Sequence, residues 1–320
     1  MSKLIIRNKN RYIYGVKSRI REYIHSNALM LKTYLKLKES IIKNSMNITN
    51  SSFNKGELRG IFFEDSLFEK VFIETISYCN NDCAFCPAST NTGVKTPQSL
   101  MPEDLYLKII NELSGLSFTG SIAFHCNNEP LLDKRLVSWI NIARRTLKNN
   151  FFYLYTNGIL INTDLTNQLF EAGLNRIIID NYDDDLRLLP SVRDIIDNQS
   201  ALRGEVIINY RFKNEFLGNR AGQSPNTKVF LKDPLKIICL RPSKEIVIGH
   251  DGTIPLCCAD GLRKVVVGNV QETPLKDIWF SDYFKRIRKN LVNRDRSCTE
   301  ICESCDALNF SAPKGIRQLR

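Results

Sequence analysis

The sequence predicts an α/β protein built on a parallel, barrel-like sheet. From Val71 onward, short β-branched and aromatic runs alternate with stretches of helical periodicity, the pattern of repeated βαβ units. Capping signals bracket the helical stretches. The residues with the most reactive chemistry fall where the strands end, which is where parallel barrels carry their sites.

The strands are expected at Val71–Tyr78, Ser121–Cys126, Phe151–Tyr155, Arg176–Asp180 and Glu205–Arg211. Crossover helices are expected at Pro102–Leu113, with Pro at its first position, at Asp133–Leu147, and at Asn162–Ala172, with Asn162 as N-cap and Gly173 just past the end. After Lys232 the pattern changes. A hairpin is expected from Glu245–His250 and Thr253–Cys257 around Asp251-Gly252, followed by a helix from Pro274 to Leu291. At the other end, Ile13, Val16, Ile20 and Ile24 recur at helical spacing, as do Leu31, Tyr34, Leu35, Ile41 and Ile42. The Asn- and Ser-rich stretch Asn44–Lys55 reads as a linker, with a boundary near Phe62. Three parts follow: residues 1–62, a basic helical extension; 63–232, the barrel; and 233–320, a smaller C-terminal domain.

At 320 residues and 43% hydrophobic content the chain can bury a sizeable core. Nothing at the N-terminus resembles a signal peptide, and no window approaches ~20 uncharged apolar residues, so a cytoplasmic protein is expected. The ten cysteines are clustered, with three from Cys79 to Cys86, then Cys126, then six from Cys239 to Cys305. Clustering of this kind in a chain too large to need disulfides points to metal binding. The net charge of +11 is local, because residues 1–55 hold twelve Lys and Arg against Glu22 and Glu39. A nearly neutral remainder argues against nucleic acid as a partner.

Cys79-Asn80-Asn81-Asp82-Cys83-Ala84-Phe85-Cys86 places three thiolates on one loop after the first strand. Thiolates suit iron–sulfur clusters, and a four-iron cube with three protein ligands leaves one iron open to a small molecule. A zinc knuckle is the alternative for such a group. This CxxxCxxC loop, with Phe85 before the third cysteine, resembles the signature of the radical S-adenosylmethionine superfamily. The resemblance implies a partial (β/α)6 TIM-like barrel. It also implies a [4Fe-4S] cluster on Cys79, Cys83 and Cys86, and S-adenosylmethionine chelated to the open iron and cleaved to a 5′-deoxyadenosyl radical that abstracts a substrate hydrogen.

Further stretches resemble the same family. Asn127-Asn128-Glu129-Pro130, after the second strand, is similar to the family's Gly-Gly-Glu-Pro motif, which implies that Asn128 and Glu129 receive the cofactor's amino group. Asn replaces both glycines, and a helix N-terminal acid is the other reading of Glu129. Thr156-Asn157-Gly158 looks like the family's turn after the third strand and implies a cofactor-facing Asn157, although Asn-Gly is also a common turn dipeptide. Asp180 and Arg211 end the fourth and fifth strands, where the ribose hydroxyls and the methionyl carboxylate are their expected partners; a salt bridge is the alternative.

Cys239, Cys257, Cys302 and Cys305 combine a CxxC pair with two cysteines bracketing the expected hairpin, a set of four that completes a closed [4Fe-4S] site. With Gly252, Gly268-Asn269-Val270 and Leu275–Trp279, this stretch resembles the auxiliary-cluster domains called SPASM and twitch. Position 311 is Ser where a full SPASM pattern continues with cysteine, which favours a single auxiliary cluster. Cys298, four residues before Cys302, is an alternative ligand, as is Cys258 beside Cys257.

Among twitch enzymes the ligand spacing most resembles that of inosamine dehydrogenases, which implies a role for Arg220 near a substrate alcohol; a surface or phosphate-holding arginine is the alternative. Cys126 and Cys258 are either small buried hydrophobes or hydrogen-atom donors to a substrate radical, as epimerases of this family require. The expected function is therefore dehydrogenation or epimerisation of a hydroxylated, possibly anionic, small molecule such as a sugar, cyclitol or nucleotide sugar. A reductant such as flavodoxin or ferredoxin is expected to supply electrons. The alternatives are a maturase for a ribosomally made peptide and a non-catalytic metal scaffold. The basic arm is expected to cap the barrel or to make peripheral membrane contact.

Overall fold

The computed structural model describes residues 3–8, 11–50, 66–88 and 98–308. Seven parallel strands form one sheet: β1 (Lys3–Arg7), β2 (Lys70–Ile73), β3 (Ser121–Ala123), β4 (Phe151–Thr156), β5 (Arg176–Tyr182), β6 (Glu205–Arg211) and β7 (Glu245–Ile248). Their order is β1-β6-β5-β4-β3-β2-β7. The central strands are apolar on both faces, as parallel sheets covered on both sides require, with Ile177, Ile178 and Ile179 of β5 all buried. The α/β expectation therefore holds, and β1 and β7 leave the sheet open at both edges.

The crossovers follow their local signals. Helix α1 spans Arg11–Ser26 and α2 spans Ala28–Asn50. Then come α3 (Glu103–Gly115), α4 (Leu136–Thr146), α5 (Thr163–Glu171) and α6 (Pro190–Asp197). Asn162 caps α5 by accepting from the Leu165 N–H, and Gly173 stands just past its end at φ +113°. Helices α3 and α4 are locked together where the Tyr106 ring stacks on Trp139 at 4.2 Å and its hydroxyl donates to the Trp139 carbonyl at 2.6 Å.

The C-terminal part departs from expectation. Residues Glu245–Ile248 do not form a hairpin with the segment after Asp251-Gly252. They become β7, parallel to β2 with Val71 opposite Ile246, and a separate antiparallel pair forms from β8 (Thr253–Pro255) and β9 (Val266–Asn269). The short turn is real, since Gly249 N–H donates to the Thr253 carbonyl, but burial of Ile246, Val247 and Ile248 against the main sheet takes the strand away from its neighbour. Helix α7 (Arg241–Lys244) precedes β7. The expected helix from Pro274 to Leu291 is two, α8 (Leu275–Trp279) and α9 (Asp282–Val292), because Ser281 takes an extended conformation and caps α9 by accepting from the Phe284 N–H. Helix α10 (Glu300–Glu303) carries the first cysteine of the CxxC pair.

The N-terminal part is more than helical, since residues 3–7 form β1 along β6, with Lys3 opposite Glu205. Helices α1 and α2 then pack on the segment after β6. Tyr14 stacks on Phe212 and donates to Glu215 at 2.6 Å, while Leu31 and Leu35 bury against Leu235 and Ile237. The boundary near Phe62 lies outside the described residues. Among the described residues no helix is long and apolar enough to cross a membrane.

Candidate active site

The three-cysteine loop leaves the C-terminal end of β2 and is held from both sides. Ala84 N–H donates to the Lys213 carbonyl at 3.0 Å, and the Ser224 hydroxyl donates to the Phe85 carbonyl at 2.9 Å, so the segment after β6 grips the loop backbone. Lys213 also pairs with Asp82 at 2.9 Å. The Phe85 ring is buried against Tyr182 at the end of β5, with centroids 5.8 Å apart. Burial pushes the Cys79 thiol up to about 12, with the Glu129 charge adding to the shift. Cys83 is raised first by burial and then by its neighbours Cys86 and Cys79, with Lys213 offsetting only part of the shift. A bound iron centre supplies further positive charge, and the donor set fits one.

Glu129 is only 2% exposed and accepts three hydrogen bonds. They come from the Thr156 hydroxyl (2.7 Å), the Asn157 N–H (2.7 Å) and the Leu131 N–H (3.1 Å). Its carboxylate thus ties the end of β3 to the end of β4. Burial raises it to about 7, while the bonds from Asn157, Thr156 and Leu131 pull it back. Asn157 in turn donates to Asn80 at 2.7 Å and lies 3.8 Å from the Cys79 sulfur. Glu129 is consequently both the cap of the short 3-10 turn Pro130–Leu132 and the brace of the cluster loop. Asn128 spends its carbonyl on the Cys126 N–H at 3.0 Å, and its amide nitrogen is buried with no partner. That orphaned donor is a polar demand that an incoming ligand can meet.

Asp180 and Arg211 take the ends of β5 and β6 as expected, each already engaged. Asp180 accepts from Asn209 at 2.7 Å and from Tyr182 at 3.3 Å, and Arg211 pairs with Glu215 at 2.6 Å. Burial lowers the Arg211 pKa, but Asp180 and Glu215 outweigh it and hold the guanidinium charged.

The four C-terminal cysteines meet. Cys239, Cys257, Cys302 and Cys305 line one pocket, which Arg241 and Arg296 also wall. Among the described residues no three His, Cys, Asp or Glu side chains are grouped to clasp a single ion, so the thiols surround a volume and do not converge on a point. Arg296 is 2% exposed and donates only to carbonyls, those of Ile237, Cys305 and Ala307. Among the described residues no carboxylate hydrogen-bonds it, Asp306 acting on it only through space, and a buried guanidinium so placed favours a further anion nearby. A cluster with four thiolates is an anion, so the four sulfurs and the charge beside them fit it. Cys298 does not line the cavity; it hydrogen-bonds Cys302, which lowers its own pKa.

Arg220 reaches from the segment beside Asp306 to Asn127, after β3, and to the Cys258 carbonyl. Asn219 is fixed by Asp306, next to Cys305, through 3.0 Å bonds from its N–H to the carboxylate and a 3.1 Å bond back from Asp306 N–H. Three left-handed residues follow, Arg220 at φ +49°, Ala221 at +57° and Gly222 at +77°. Left-handed backbone costs a non-glycine residue ~1 kcal/mol, a strain typical of functional segments. It aims the guanidinium at the barrel mouth, where it meets the Asn127 side-chain oxygen and, at 3.4 Å, the Cys258 carbonyl; its Nε is buried without a partner. Cys126 and Cys258 are also there, with the Cys126 sulfur 4.0 Å from the Cys258 carbonyl and Arg241 3.2 Å from the Cys258 sulfur.

Several supporting residues carried no motif. Glu74, at the end of β2, accepts from the Asn127 N–H at 2.6 Å and pairs with Arg263 at 3.0 Å. Arg241 and Arg296 likewise act through contacts invisible in the chain order, although both stand two residues from a cysteine, a usable signal, whereas Asn80 and Thr156 lie inside the quoted motifs but drew no role there.

The chain is similar to known proteins along both cysteine-bearing stretches. The family model described as the radical SAM superfamily matches residues 73–199, and the model described as an iron–sulfur cluster-binding domain, SPASM, matches residues 239–306. The chain is 28% identical over 242 residues to the S-adenosyl-L-methionine-dependent 2-deoxy-scyllo-inosamine dehydrogenase of Niallia circulans, covering 76% of this chain and 94% of that protein. Among solved structures, that of BtrN in complex with AdoMet and 2-DOIA superposes with a TM-score of 0.66 at 27% identity, over 76% of this chain and 95% of that one. BtrN in an open conformation gives 0.58 at 25%, over 76% and 94%.

Proposed function

We infer that this chain, which belongs to the radical SAM superfamily and carries a SPASM-type iron–sulfur domain, is an oxidoreductase that converts a secondary alcohol of a hydroxylated small molecule to a ketone. The observation that carries the reading is Arg220, a guanidinium with an unpartnered buried Nε at the barrel mouth, whose chain neighbour Asn219 is fixed by Asp306, the residue after Cys305. The similarity to a dehydrogenase of a cyclitol supports a cyclitol or sugar as substrate class.

When bound, the barrel cluster with S-adenosylmethionine supplies hydrogen-atom abstraction and the auxiliary cluster supplies a one-electron sink. The alcohol loses a hydrogen atom from carbon, one electron and its hydroxyl proton, and a carbonyl remains. Cys79, Cys83 and Cys86 hold the first cluster, and Cys239, Cys257, Cys302 and Cys305 the second. Asn128, Glu129 and Asn157 shape the amino-acid end of the cofactor site, Phe85 walls it, and Asp180 and Arg211 serve its ribose and carboxylate. Arg220 donates to the substrate hydroxyl through Nε and favours the oxygen's loss of its proton to water at the mouth. Residues 63–232 act as the radical-generating unit and 233–320 as the auxiliary unit, with β7 lent to the sheet, and residues 1–62 add β1 and a basic arm. A cytoplasmic setting with flavodoxin or ferredoxin as reductant accords with ten unpaired cysteines.

A second reading is epimerisation, favoured by the placement of Cys126 and Cys258 against one another at the mouth. Burial keeps the Cys126 thiol protonated far above the usual range, the form that donates a hydrogen atom. One experiment separates the two. The reconstituted enzyme is given a panel of cyclitols, sugars and nucleotide sugars in D2O, and S-adenosylmethionine cleavage and product mass are followed. A ketone formed with one cofactor consumed per product supports dehydrogenation, and deuterium at an inverted carbon supports epimerisation. Cleavage stimulated by none of these alcohols would remove the small-molecule reading.

A further inference from the structure

We propose that the α1–α2 hairpin is a docking surface for an anionic lipid bilayer, a property independent of the chemistry inferred above. The carrying observation is the orientation of α1. An amphipathic helix on a globular protein ordinarily turns its apolar stripe inward. Here the polar edge is the one that docks. Tyr14 bonds Glu215 (2.6 Å), Arg21 bonds the Phe216 carbonyl (3.5 Å), Glu22 pairs with Lys228 (3.1 Å), and His25 lies 3.7 Å from Asp306 and 4.4 Å from the Phe216 ring. These positions share one side of a 3.6-residue helix.

The opposite side is left to solvent, and it is the apolar one. Ile20 is 54% exposed and Tyr23 59%, one turn apart on the helix surface, with Ile13 in the same row. Where the chain turns into α2 the apolar surface continues with Leu29, 73% exposed, and Met30. Exposed Lys17 and Arg19 flank the α1 stripe, and exposed Lys32 and Lys36 stand on α2. Among the described residues up to Lys38 the sole acid is Glu22, already paired with Lys228. An exposed apolar stripe bordered by unopposed cations matches one environment in particular, the interface of a bilayer with anionic headgroups. There the side chains enter the acyl boundary while the cations meet phosphate. A water-soluble acidic protein would satisfy the cations but offers no reason for the apolar stripe to lie between them.

Full-length protein loaded with its clusters is floated with phosphatidylcholine vesicles containing or lacking phosphatidylglycerol. Flotation is expected only with phosphatidylglycerol, weakened by salt. The pair Ile20→Ser with Tyr23→Ser, and separately Lys17→Gln with Arg19→Gln, should each weaken partitioning about tenfold or more, each cation near the surface being worth about fivefold. S-adenosylmethionine cleavage should be unchanged in both, since none of these residues touches the site, which separates this proposal from the enzymatic one. No flotation, equal flotation with pure phosphatidylcholine, or variants that float like the parent would overturn it. So would a dimer in light scattering that the Ile20 and Tyr23 substitutions dissociate, because the stripe would then be an interface between two copies.

Discussion

The Arg296 guanidinium donates to the carbonyl of Cys305 at 3.1 Å from within the wall of the auxiliary cavity. A fixed positive charge beside a cluster favours the cluster's more negative, reduced state. An acceptor of substrate electrons needs that bias. Arg296→Gln, which keeps donors but not charge, should move the auxiliary cluster to a more negative potential in an electron paramagnetic resonance titration, whereas Arg296→Lys should hold it near the parent value. Equal potentials in all three proteins would reduce Arg296 to a structural bracket.

Iron content tests the two-centre arrangement directly. Anaerobically reconstituted protein should hold about eight irons per chain, and a variant with Cys79, Cys83 and Cys86 changed to Ala about four. Four falling to none would leave the C-terminal cavity without a cluster and the dehydrogenase without its acceptor.

Glu129→Gln replaces one of two carboxylate oxygens with an amide nitrogen, so either the Asn157 N–H or the donors from Thr156 and Leu131 face another donor. An unpaired buried donor costs ~1–3 kcal/mol. Binding of S-adenosylmethionine, measured at equal iron content, should weaken about tenfold or more, because Asn157 and the Cys79 loop both lose their anchor. Unaltered binding would show that the brace is dispensable.

The docking of α1 should depend on pH through His25. Burial and then Arg21 lower its pKa to about 4 from about 6.5, with Asp306 too little to offset them. The docked state resists protonation, so its stability is full above pH ~6.5 and is lost as pH falls toward 4. The hydrogen-exchange protection factors of residues 11–26, taken relative to the intrinsic amide rate at each pH, should fall as pH drops through that window, and His25→Leu should flatten the dependence. A parent protein whose α1 protection factors ignore pH below 6.5 would contradict the assignment.

What the chain reveals by itself depends on the range of the interaction. The alternation of strands and helices and the Asn162 cap are local patterns, and both are where the sequence puts them. The hairpin at Asp251-Gly252 failed because a two-residue turn signal says nothing about a competing partner far back in the chain; β2 offers Glu245–Ile248 a fully buried edge. β1 was hidden by its shortness and charge. The α1 stripe was legible as a stripe, but the side that docks was not, since rings and ion pairs with Phe212, Glu215 and Asp306 decided it. Arg220 was placed by a resemblance, and its strained turn by nothing in the composition.

The pairing of Val71 with Ile246 also sets a timetable. During synthesis the chain leaves the ribosome N-terminus first, and strands 2 to 6 can assemble as they emerge. The flank of β2, whose end carries the three-cysteine loop, stays open until residues past Ile248 are free. The auxiliary cysteines at 257, 302 and 305 emerge only after that. Neither cysteine group thus has its full surroundings before Cys305 has emerged, and a nascent chain arrested earlier would hold thiols without a finished place for either proposed cluster.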